Sequence, residues 1–125
     1  MRDAKPFWAG APSGGWPLWR VSTEPARGGE LAAMIAPDAQ WFQDWAGGLI
    51  WIAIPPSGDA DSAAIRRALA ALGGHATLIR APAALRAAVD VFESQPVALA
   101  AVTKRVKESF DPKGVLNPGR MWAGV

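Results

Sequence analysis

The chain has 125 residues, half of them hydrophobic, with 13 basic and 11 acidic side chains, a formal charge of +2 and no cysteine. That length buries one core, and the absence of cysteine excludes a disulfide framework, a thiolate zinc site and a cysteine nucleophile, which fits a reducing, cytoplasmic setting. The charges are dispersed without a basic block, so nucleic acid is not an expected partner, and the longest apolar run, 49–54, is of strand length, so no direct membrane insertion is expected.

In chain order, residues 1–15 collect Gly10, Pro12, Gly14 and Gly15 and predict an extended lead-in. Residues 16–22 alternate in type and are rich in β-formers, with Pro17 near the start where a missing N–H is tolerated, and predict a first strand. Residues 30–35, with Leu31 and Ile35 four apart, predict a short helix. Residues 40–46 and 49–54 predict two strands joined by Gly47-Gly48, a two-residue hairpin link. Pro55-Pro56 stops the second of these. Ser57, Asp59 and Asp61 then offer capping oxygens to an alanine-rich helix reaching Leu72, with Ile65, Leu69 and Leu72 on its buried face and Gly73 as its stop. Residues 75–80 predict a fourth strand and 83–92 a further helix, while 96–110 predict an amphipathic helix. In that last helix Leu99, Val102, Val106 and Phe110 share one side, and Lys104, Arg105, Lys107 and Glu108 turn outward.

The order of elements predicts an α+β, ferredoxin-like (βαββαβ) antiparallel sheet with helices on one face, followed by a C-terminal helix and a turn-rich tail. The expected division is a lead-in over 1–15, a domain over 16–110 and a tail over 111–125. Strict alternation separates Leu49 and Trp51 from Ile50, Ile52 and Ile54, and Trp41 and Trp45 from Phe42, so both faces of the sheet carry large apolar groups. Two helices cover one face. The other predicts a partner surface, whether another domain, another subunit or a homodimer mate. Seven tryptophans in so short a chain point the same way.

The tail, Phe110-Asp111-Pro112-Lys113-Gly114-Val115-Leu116-Asn117-Pro118-Gly119-Arg120, reads as turn chemistry: Asp111-Pro112-Lys113-Gly114 is one β-turn and Asn117-Pro118-Gly119 another. The whole string also resembles the C-terminal signature of FAD-linked oxidases of the vanillyl-alcohol oxidase superfamily. Pro6-Phe7, Pro17-Leu18-Trp19-Arg20-Val21-Ser22, Asp44-Trp45-Ala46-Gly47-Gly48 and Gly73-Gly74-His75-Ala76-Thr77-Leu78 resemble the cap region of the glycolate oxidase FAD-binding subunits, so the likeness spans roughly 5–122.

That resemblance implies a flavin-dependent 2-hydroxy-acid oxidase or dehydrogenase, with FAD as cofactor of the full-length protein. The partners it implies are an FAD-binding domain or sister flavin subunit and an iron–sulfur subunit, through which the protein meets the inner membrane peripherally. The Gly-rich phosphate loops of the flavin domain are not found in this sequence, so the chain alone is expected neither to hold FAD nor to be active. With His75 as its single histidine, the histidine-rich metal motif of related dehydrogenases is missing too, and no metal site is expected.

A ferredoxin-like sheet places strands one and four side by side, making Arg20 and His75 near neighbours. Arginine binds a carboxylate bidentately and histidine moves a proton from a hydroxyl, so these two are the candidate catalytic pair. The structural alternative gives His75 the start of a strand and Arg20 a local carboxylate partner, and leaves Arg80 as a rim charge. On the resemblance, Asn117, Pro118, Gly119 and Arg120 are candidate cofactor contacts; Trp51 and Trp45 are candidate walls over the flavin ring, with packing as the structural alternative. The competing function is a stand-alone ferredoxin-like binding or dimerisation module.

Overall fold

The structure, a computed structural model describing residues 15–35, 37–123 and 125, is α+β with a four-stranded antiparallel sheet. The expected lead-in therefore lies, apart from Gly15, outside the described residues. The elements are β1 (Leu18–Ser22), α1 (Gly28–Met34), β2 (Gln40–Asp44), β3 (Leu49–Ala53), α2 (Ser62–Leu72), β4 (His75–Arg80), α3 (Ala83–Ala88) and α4 (Val97–Phe110). The sheet order is β2-β3-β1-β4, with every neighbouring pair antiparallel. The chain divides into two units, Met1–Val91 and Phe92–Val125, so α4 groups with the tail and not with the sheet.

In the first unit, alternation sends Trp19, Val21, Ile50, Ile52, Ala76 and Leu78 to one face of the sheet, where they form the core with Leu31 and Ile35 from the α1 segment and Ile65, Ala68, Leu69 and Leu72 of α2. Trp19 lies at its centre, fully buried. Its indole N–H donates to the Ala60 carbonyl at 3.1 Å, and the Arg66 guanidinium lies 5.3 Å from its ring centre, donating onward to the Ala76 and Asp90 carbonyls. The ring is thus both packed and satisfied, which is what burying an indole requires. Of the six described tryptophans it alone is buried; Trp45 and Trp41 are exposed, so the tryptophan surplus is not a surplus of core.

Several boundaries move for identifiable reasons. β1 begins at Leu18 because Pro17 has no N–H for the ladder, although its carbonyl still accepts from Ile54 N at 3.0 Å. α1 begins at Gly28, where a Cβ would stand 2.6 Å from the Gly47 carbonyl oxygen, so only glycine lets the helix start beneath the hairpin turn. The hairpin link is four residues long, not two: β2 ends at Asp44, which pairs with Leu49. Trp45 and Ala46 adopt positive φ of 50° and 53°, and the Asp44 carboxylate accepts from Trp45 N at 2.8 Å to hold them there. The register therefore differs by two residues from a Gly-Gly turn, which preserves the side on which every strand residue falls. Trp41 consequently faces the core side opposite Ile52, Phe42 lies opposite Trp51, and Trp45 belongs to no strand.

Among the three candidate caps of α2, Asp59 does the capping, accepting from Asp61 N at 3.1 Å and Ala63 N at 3.4 Å. α3 stops at Ala88, short of the expected 92, because Val89 is extended and the Val91 carbonyl accepts from Leu78 N at 2.8 Å on the outer edge of β4. That bond covers part of an otherwise open strand edge.

The second unit is built differently. α4 has the expected length and follows Pro96, yet no residue of it is buried. Val102, Val106 and Phe110 are 45%, 52% and 84% exposed. The apolar spacing predicted a buried side, and that side is bare. Among the described residues of this unit the one buried side chain is Asp111.

Candidate functional site

Two sets of residues carry the candidate chemistry, one in each unit. In the first unit, the sheet face away from the core is ordered by register into rows. Phe42, Trp51, Arg20 and Thr77 form one row across β2, β3, β1 and β4; Asp44, Leu49, Ser22 and His75 form the next. His75 thus lies opposite Ser22, while Arg20 lies opposite Thr77 on one side and Trp51 on the other. Arg20 and His75 are diagonal neighbours on adjacent strands. His75 is placed there by Gly74, whose φ of 119° and close approach to the Ser22 carbonyl leave no room for a side chain. Arg20, Trp51 and Thr77 are half-buried and His75 is exposed.

This face is not the bare apolar surface that alternation predicted. Leu18, Leu49 and Ala53 are buried on it, and Arg20, Ser22, Thr77 and His75 make the β1–β4 side polar. Beyond Ser22–Trp19 the register breaks: between the pairs Trp19–Leu78 and Leu18–Arg80 the extra residue Ile79 of β4 forms a bulge that brings Arg80 opposite Leu18. Arg80 Nε is buried without a hydrogen-bond partner, which a rim charge would not be. Sequence reasoning named Arg80 as a rim charge and did not foresee the bulge beside it.

In the second unit, the tail is organised by Asp111. Its carboxylate accepts from Lys107 Nζ at 2.7 Å, Leu116 N at 2.8 Å and Val115 N at 3.0 Å, and its carbonyl accepts from Gly114 N at 3.0 Å. Lys107 Nζ also donates to the Leu116 carbonyl. The Lys107 hydrogen bond, reinforced by the Leu116 and Val115 amides, pulls the Asp111 carboxyl down from its ordinary 3.8 to about 2. Of the predicted contacts, Asn117 sits at a positive φ of 48° and Gly119 at 67°, and Asn117 O accepts from Arg120 N at 3.2 Å, closing the second turn. Asn117, Pro118, Gly119 and Arg120 are all exposed. Trp122 packs its ring 6.0 Å from that of Phe92 and donates to the Glu93 carbonyl at 2.9 Å.

α2 presents its N-terminus beside Asp59 and Asp61, and Asp59 already occupies the amide of Ala63, so negative charge stands where a phosphate would need helix amides. α4 begins after Pro96, with no glycine loop ahead of it. Among the described residues no group of three or more His, Cys, Asp or Glu side chains is arranged to hold a metal ion, and no helix is long and apolar enough to cross a membrane. No family model matches the chain, and no curated protein or solved structure compared with it is similar.

Proposed function

We propose that this chain is the cap and C-terminal portion of an FAD-linked oxidase subunit, and more particularly of the FAD-binding subunit of a glycolate oxidase, and that it works only when joined to a flavin domain. The observation that carries this reading is the second unit. An amphipathic helix with every described apolar residue outside a core, followed by a tightly knotted tail, needs an external apolar surface to be stable. The flavin domain implied by the tail signature supplies such a surface, and the strand order suits the ferredoxin-like arrangement of a cap. Within that assembly Arg20 binds the substrate carboxylate and His75 takes the proton of its hydroxyl, while Trp51 walls the substrate side. Asn117, Pro118, Gly119 and Arg120 contact the cofactor from the tail. FAD, when bound in the partner domain, supplies the electron acceptance; an iron–sulfur subunit takes the electrons onward.

The test is reconstitution. The chain alone, mixed with one equivalent of FAD and passed through gel filtration, is expected to elute colourless. Supplied with the flavin domain of such a subunit in trans, it is expected to co-elute with the yellow absorbance. A chain that retains FAD unaided contradicts the proposal, and a chain that stays apart from the flavin domain but sediments as a dimer favours the stand-alone dimerisation module.

A further inference from the structure

We infer that the polar half of the sheet face is a binding site for a small dicarboxylate, held between Arg20 and Arg80. Among the described residues neither guanidinium forms an ion pair, although both are half-buried, Arg20 on a central strand. Arginines in that position are ordinarily matched by a carboxylate, because an uncompensated charge partly removed from water is costly. Arg80 Nε, an N–H shielded from solvent with no acceptor, marks the missing group most sharply. The bulge is what brings the two together. By setting Arg80 opposite Leu18, two residues before Arg20, it makes them diagonal neighbours across β1 and β4.

Among the described residues no ion pair neutralises them. The described carboxylate on this sheet face is Asp44, which lies on β2, at the far edge, and is engaged by Trp45 N. Two fork-shaped donors that are diagonal neighbours on adjacent strands call for an anion of two charges, two carboxylates on a short carbon chain. Thr77, opposite Arg20, places a hydroxyl within the same row for a hydrogen bond to an α-hydroxyl, and His75 stands one row further on. The inference rests on the proposed function, since it takes Arg20 as the substrate anchor, and adds Arg80 as a second carboxylate-binding group through which a 2-hydroxy dicarboxylate is accepted beside glycolate.

The test needs no flavin, so its failure and the failure of the flavin assignment are separable. The isotopically labelled full chain is titrated with succinate, acetate and inorganic phosphate at constant ionic strength, following the Nε–H resonances of Arg20 and Arg80. Succinate is expected to bind at least about 10-fold more tightly than acetate, the difference one charge-assisted pair makes. Arg80→Met is expected to bring succinate down to the acetate level, and Arg80→Lys, which keeps the charge and the fold, to fall between them. Equal affinities for succinate and acetate, preferential binding of phosphate, or discrimination that survives in both variants would overturn the inference.

Discussion

The two units spend similar apolar residues to opposite ends. In the first, Ile50, Ile52, Ile65, Leu69 and Leu78 converge on Trp19, and the sheet and helices close over them. In the second, Leu99, Val102, Val106 and Phe110 recur at helical spacing just as regularly and stay exposed, while the one buried described side chain is the ionised Asp111. Periodicity therefore reports that a helix has an apolar side; whether the same chain covers that side depends on a partner that periodicity cannot name. The first unit carries its own core, and on the proposed function the second is a docking element.

The sharpest way to break this contrast is to remove the centre of the first core. Trp19→Ala is expected to cost about 3–5 kcal/mol, because it leaves a large cavity and strands the Ala60 carbonyl, and chemical denaturation of the purified chain reads it directly. Ile52→Ala, on the same side of the sheet, is expected to cost about 2–5 kcal/mol in the same assay. A like change in the second unit should do almost nothing to the isolated chain: Val106→Ala is expected within about 0.5 kcal/mol of the parent, as for other exposed sites. Val106→Asp is expected to be equally mild alone and to abolish co-elution with the flavin domain.

Acid sharpens the contrast from the other side. The carboxyl of Asp111 titrates lower in the folded chain than its ordinary 3.8, at about 2, so its contribution is fully present above 3.8 and is lost as the pH falls through about 2. Between those values the amide resonances of Val115 and Leu116 are expected to lose their dispersion while those of β1 and β3 do not move. Asp111→Asn should produce the same loss at neutral pH.

Much of the first unit was legible in the sequence. β4 begins and ends where the alternation placed it, at His75 and Arg80, and the buried side of α2 is the predicted Ile65, Leu69 and Leu72. The hairpin was visible through Gly47-Gly48, but not the length of its link, because Trp45 and Ala46 take left-handed conformations that their residue types disfavour and that the Asp44 carboxylate stabilises. Arg20 and His75 fall close together as expected, since strand order alone brings them there. Arg80 was legible as a charge at the end of β4, but not the bulge that sets it opposite Leu18. Asp111 was read as a turn former; its position four residues after Lys107 and three before Gly114 was the available sign that it organises the helix end and the turn together. The division after Val91 left no mark in composition, because α4 has the amphipathic pattern of an ordinary core helix.

Amide hydrogen exchange along α4 tests the central claim most directly. In the free chain the amides of Val102 to Phe110 are expected to exchange far faster than those of β1 and β3, because no residue of that helix is buried. Addition of the flavin domain is expected to slow them by at least about 100-fold, the protection a few kcal/mol of docking confers. If α4 is already as protected as the central strands in the free chain, or if the flavin domain leaves its exchange unchanged, the second unit is not a docking element and the account fails.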